Sequence, residues 1–181
     1  MGRELSFSYF CNTFENRVQF RLKIMKLKKL YHIIIATGFG TGFSPFAPGT
    51  AGAILATFIW YLLSLYAPIL CLYYATISLI LLFTVLGVLS SNALESSWGK
   101  DPSRIVVDEM VGVWITLLGA IGGAWWTIVL AFIFFRLFDI FKPLGIRAME
   151  KFKGGWGVMM DDILSGIYGL LLLILIRCVA G

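Results

Sequence analysis

Apolar residues in this chain fall in long runs separated by short polar stretches, and the lengths of those runs dictate the architecture. The runs Ala51 to Tyr66 and Ile69 to Ser90 adjoin across an uncharged turn at Ala67-Pro68. A membrane-crossing helix needs roughly 20 residues, so the second run can span with some tilt, while the first is short unless the residues before it contribute. Together they predict a helical hairpin. The segment from Ile105 to Phe141 is apolar apart from Asp108, Glu109, Arg136 and Asp139. As one helix it would hold Asp108 and Asp139 about 46 Å apart, more than the ~30 Å hydrocarbon core. It must therefore break, and Gly119, Gly122 and Gly123, followed by the interface-favouring Trp125 and Trp126, mark the place. Each resulting arm is short for a full crossing. A last run, Ile163 to Ala180, predicts a single span. The expected fold class is all-α: a polytopic helical membrane protein built of helical hairpins.

Composition agrees, since 59% of the 181 residues are hydrophobic and only 14% are charged. That length has room for one domain, expected over 25–181. Residues 1–24 are mixed and mostly polar, with no signal-peptide pattern. Met25 opens a second plausible start ahead of Lys26, Lys28 and Lys29, so 1–24 are expected to be a dispensable extension, the competing reading being an amphipathic arm on the membrane surface. The net charge of +5 comes from basic residues flanking apolar spans, which favours anionic membrane lipid over nucleic acid as partner. Cys11, Cys71 and Cys178 are odd in number and lack CxxC spacing, so neither a disulfide framework nor a zinc site is indicated.

Three polar stretches remain. Residues 37–52, TGFGTGFSPFAPGTAG, are too rich in Gly and Pro for regular helix and read as a loop entering one. Its backbone N–H groups can meet a phosphate, or the segment can be a mere turn; it matches neither GxGxxG nor a P-loop. Residues 91–105 form a polar connection in which Asp101-Pro102 resembles a helix start. The stretch Arg136 to Gly166 concentrates 9 of the 25 charged side chains, with Asp161 and Asp162 at the amino end of the final span, where simple helix capping is their alternative role. Threading the hairpins puts every one of these motifs on one side of the membrane, with 14 of the 15 Lys and Arg there and only Arg177 opposite. By the positive-inside rule the motif side is cytoplasmic, and an active site is expected on that face.

Carboxylates in apolar segments are costly and call for a partner or a metal. A single histidine, His32, leaves no pair for phosphohistidine chemistry and reads as an interfacial residue; there is no DxDxT run, and no DGxxAR…GxxxDxxxD run. Oxygen ligands without His or Cys favour magnesium, which suits phosphate chemistry. A small cation transporter or channel using the same acids is the alternative, but the far half of the spans offers only Ser, Thr and Gly to line a path.

The strings FGTGFSPFAPGTAG (39–52), DPSRIVVDEMVG (101–112) and FRLFDIFKPLGIRAMEKFKGGWGVMMDD (135–162), in that order, resemble the phosphatidylglycerophosphatase A family from about Lys28 onward. The chain departs at Leu144-Gly145, where a second proline is expected near Lys142-Pro143. The resemblance implies a magnesium-dependent phosphatase of the bacterial inner membrane that converts phosphatidylglycerophosphate to phosphatidylglycerol, a cardiolipin precursor. Under it Asp108, Glu109, Asp139, Asp161 and Asp162 are the candidate catalytic residues and Mg2+ ligands, one of them open to serving instead as general base or aspartyl nucleophile. Arg136 and Lys142, with Arg104 as a weaker candidate, are expected to bind substrate phosphate. Gly38, Gly40, Thr41, Ser44, Gly49 and Thr50 are expected to cradle the headgroup.

Overall fold

A computed structural model describes residues 21, 23–99, 102–143, 145–149 and 151–180. The extension 1–20 with residue 22, Cys11, Asp101 and Leu144 lie outside the described residues. The regular structure of the described residues is all helical: α1 (23–36), α2 (Pro48–Tyr66), α3 (Ile69–Trp98), α4 (Val107–Leu117), α5 (Trp125–Phe141), the single turn α6 (Ile146–Met149) and α7 (Gly155–Ala180). Among them α2, α3 and α7 are long and apolar enough to cross a membrane. Large apolar side chains such as Phe58, Leu81, Ile133 and Leu175 are exposed on the outer faces. Hydrocarbon surroundings suit such a surface.

The centre of the bundle is α4, where every residue except Glu109 is buried. An all-round apolar helix is a core helix, and α2, α3, α5 and α7 all pack on it. Trp114 anchors it, donating its indole N–H to the Ala56 carbonyl of α2 at 3.0 Å and meeting Phe83 of α3 edge to face at 5.2 Å. The crossing with α7 is closest. A Cβ on Gly166 would strike the Gly112 carbonyl, and Thr116 donates its hydroxyl to the Gly166 carbonyl at 3.0 Å. Small residues allow helices to touch backbone to backbone in lipid.

The break between α4 and α5 falls where the glycines predicted it: α4 ends in a 3₁₀ turn, Leu118–Ala120, and Gly122 adopts φ 69°. Arg177 of α7 donates to the carbonyls of Gly119 (2.5 Å) and Ile121 (3.0 Å), closing the carboxyl end of this inner helix.

Four boundaries differ from the sequence expectation. The first span begins at Pro48, not Ala51, which lengthens a run that was short. The second continues past Ser90 to Trp98, so most of the supposed connection 91–105 is helix. Pro102 stands in a turn and α4 starts only at Val107, without a side-chain cap, so Asp101-Pro102 does not open it. The last span starts at Gly155, not Ile163. Asn92 of the lengthened α3 accepts the Gly155 N–H at 2.7 Å, and Gly155 lies against the backbone of Val88. Asp161 and Asp162 are thereby two turns inside α7, and capping is not their role.

Helix α1 runs antiparallel along α3, with Lys29 at Ser97 (3.2 Å), His32 at Ser90 (3.1 Å) and Phe39 against Phe83. The chain then turns back, and Phe43 meets Trp98. His32 is therefore held to a buried serine beside α3.

Candidate functional site

The amino ends of α2 and α4, the carboxyl ends of α3 and α5, and the second turn of α7 meet at one end of the bundle. Asp108 and Glu109 occupy the first turn of α4, where the helix dipole favours negative charge. Asp162 reaches them from α7, and one oxygen of each of the three lies within 4.8 Å of the others. Asp108 and Asp162 are buried, at 7% and 3% exposure. Asp108 accepts the Glu109 backbone N–H at 3.0 Å, but Glu109 Oε2 and Asp162 Oδ1 are buried without a hydrogen-bond partner. Crowding desolvated carboxylates in this way is unfavourable unless a cation joins them. The all-oxygen donors and the two orphaned oxygens fit a hard divalent ion.

Two cations border the trio. Arg136 on α5 bonds Asp139, one turn on, at 2.5 Å and donates to the Thr50 hydroxyl of α2 at 3.1 Å. Lys142, which ends α5 in the left-handed conformation (φ 44°), reaches Asp161 at 2.6 Å. Asp139 is near enough to feel the charges of Glu109 and Asp162, and Asp161 those of Asp108 and Asp162. All five expected acids thus share one region, with a graded arrangement: three converge with no Lys or Arg ion pair among the described residues, and two hold cations at the rim.

The glycine loop contributes differently from its expected part. The backbone N–H groups of Gly40, Thr41 and Ser44 are spent on carbonyls within the segment and that of Gly38 on the Ile35 carbonyl of α1, and the Thr41 and Ser44 hydroxyls also bond backbone carbonyls. The loop packs on the start of α4, where a Cβ at Gly38 would meet Met110 and one at Gly42 the Arg104 carbonyl. Its later part faces the site: a Cβ on Gly49 would collide with the Glu109 carboxylate, and Thr50 contacts Arg136. Gly49 and Thr50 lie in the first turn of α2, so a second positive helix end is aimed at the acids. Arg104 is exposed, and among the described residues only its backbone carbonyl, beside Gly42, enters these contacts. Sequence reasoning missed Asn92, whose cap sets the start of α7 and hence the angular position of Asp162; its place in an apparent loop hid it.

A sequence model described as phosphatidylglycerophosphatase A matches residues 34–177. A Bacteroides thetaiotaomicron protein, provisionally named a phosphatidylinositol-3-phosphatase, is 54% identical over 87% of this chain and 100% of its own. Phosphatidylglycerophosphatase A of Escherichia coli is 34% identical over 79% of this chain and 81% of its own, and that of Haemophilus influenzae 35% identical over 86% and 94%. No solved structure matches.

Proposed function

The chain belongs to the phosphatidylglycerophosphatase A family, and from that premise we propose that it is a magnesium-dependent phosphatase hydrolysing the terminal phosphate of phosphatidylglycerophosphate to phosphatidylglycerol and inorganic phosphate. The observation that carries this reading is the meeting of Asp108, Glu109 and Asp162 within 4.8 Å beside Arg136 and Lys142. Asp108, Glu109 and Asp162 would hold the Mg2+. When bound, the ion supplies Lewis acidity toward phosphate oxygen and lowers the pKa of water. Arg136 and Lys142 meet the phosphate oxygens, and their present partners, Asp139 and Asp161, keep both side chains aimed at the site before substrate arrives. The positive ends of α2 and α4 add to the same field. Anionic lipid gathered by the flanking basic residues would surround the substrate.

Phosphate release from phosphatidylglycerophosphate by the purified protein tests the activity. Chelation by EDTA should abolish release and magnesium should restore it, with no need for zinc; full activity after exhaustive EDTA dialysis would remove the metal from the reading. Because the Bacteroides relative bears a different substrate in its name, phosphatidylinositol 3-phosphate belongs in the same assay. Faster release from that lipid would reassign the headgroup while leaving the phosphomonoester chemistry in place.

The acids and Lys151 lie at one end of the bundle and Gly122 at the other. In the bacterial inner membrane the acidic end would face the cytoplasm. Single cysteines at Lys151 and Gly122, in a background without the native cysteines, should label from opposite sides, the second from outside. Labelling of both from the outside would reverse the orientation.

A further inference from the structure

Below the site, on the lipid-facing side, a groove of about 330 Å³ lies between α2 and α5, lined by Ile54, Thr57, Phe58, Tyr61, Ile128, Val129 and Phe132. Its position is set by the site itself. Ile54 is four residues after Thr50, and Phe132 four before Arg136, so each is one helical turn below a member of the Arg136–Thr50 hydrogen bond that joins the two helices at the mouth. The wall is apolar in effect, because the Thr57 hydroxyl is turned back to the Ala53 carbonyl at 2.8 Å. Ile54, Phe58 and Val129 are about half exposed, so the groove opens sideways to the bilayer. From Ile54 to Tyr61 it runs about 10 Å along α2, which fits within one leaflet of a ~30 Å hydrocarbon core.

Building on the function proposed above, we infer that this groove holds one acyl chain of the lipid whose phosphate is bound at Arg136, making the α2–α5 seam the tail subsite. A cationic rim one helical turn above an apolar groove matches the order of a glycerophospholipid: phosphate above, chain below. Binding energy from that remote tail would orient the phosphomonoester over the carboxylates, which is how contacts distant from the reacting bond raise turnover. Thr57 and Val129 are then residues that select chain length, without touching the phosphate.

Two measurements decide it. In the first, Thr57→Trp and Val129→Trp fill the groove. For each, kcat/KM toward long-chain phosphatidylglycerophosphate should fall about tenfold or more, while hydrolysis of a short-chain, water-soluble form of the same lipid stays within about twofold of wild type, which also confirms a folded site. Equal losses on both substrates, or none, would overturn the tail subsite. In the second, binding is read without turnover: the wild-type protein is irradiated with a phosphatidylglycerophosphate bearing a photoreactive group in its acyl chain. Label should map to Phe58 and Phe132, and excess unlabelled phosphatidylglycerophosphate, but not phosphatidylcholine, should compete it away. Equal competition by phosphatidylcholine would make the groove a berth for bulk lipid, and a disulfide between cysteines at position 58 of two copies would give it to a second copy; either result ends the proposal. If the label maps as expected while the wild-type protein releases no phosphate from the lipid, the activity fails and the subsite stands.

Discussion

Asp162→Asn is expected to give a protein that folds and inserts normally yet loses more than about a hundredfold in kcat/KM, roughly 2.7 kcal/mol of transition-state stabilisation. Asn has nearly the volume of Asp and keeps one oxygen, so packing around a side chain only 3% exposed is preserved. What disappears is one of three negative charges crowded within 4.8 Å. Without a bound cation that removal relieves repulsion, and the variant should unfold at a higher temperature than metal-free wild type. Magnesium should raise the melting temperature of wild type, because an ion that binds only the folded state stabilises it, and should raise that of the variant little. The same experiment on Asp161→Asn should differ, since Asp161 holds Lys142 and its loss frees a cation. Opposite shifts in stability and activity for Asp162→Asn are the mark of a ligand. A variant that is both less stable and fully active in limiting magnesium would take Asp162 out of the site.

Gly166→Leu should abolish folding altogether, and Gly166→Ala should cost about 3 kcal/mol or more. At this position the backbones of α4 and α7 are in contact, and even a Cβ meets the Gly112 carbonyl. The helices can accommodate it only by separating, which breaks the Thr116–Gly166 hydrogen bond and opens the tightest seam of the core. The consequence reaches the chemistry. Gly112 is four residues after Asp108 and Gly166 four after Asp162, so the crossing that fixes one pair fixes the distance between the other. In the alanine variant, activity should fall at temperatures where unfolding, followed by tryptophan fluorescence in detergent, has not begun. Activity and folded fraction declining in step would show that the crossing carries stability alone.

Much of this was legible in the sequence, for reasons that can be named. A hydrophobic segment too long for the bilayer had to break, and it breaks at Gly119–Gly123 because those residues tolerate the turn. Acids inside apolar runs had to find company, and Asp108, Glu109 and Asp162 do. Polar residues misled where they serve the interior. Ser91 and Asn92 looked like the start of a connection but lie inside a continuous helix, where Ser90 turns to His32 and Asn92 to the start of α7. The Gly155-Trp156-Gly157 start of α7 is poor helix former by propensity, yet close packing on Val88 and the Asn92 cap outweigh about 1 kcal/mol per glycine. The glycine loop could be read as a mere turn or as a cradle of backbone donors for the headgroup. Its donors close the loop on itself, and only the following helix turn reaches the acids. Hydrogen-bond bookkeeping of that kind depends on φ and ψ, which composition does not carry.

The two hydrogen bonds from Arg177 to the end of the inner helix also bear on how the site is assembled. In the orientation proposed above, the guanidinium near the end of the last span would be carried across the bilayer, and an arginine in a spanning helix costs about 2.5 to 3.5 kcal/mol at the centre. The carbonyls of Gly119 and Ile121 that receive it exist as a receptor only once α4 has stopped at its 3₁₀ turn and α5 has turned back. Seating the final helix on that receptor and bringing Asp162 to Asp108 and Glu109 are therefore one docking event, since both contacts belong to α7. The three acids come within reach of one another only when α7 is docked, so a chain without it lacks the acidic trio.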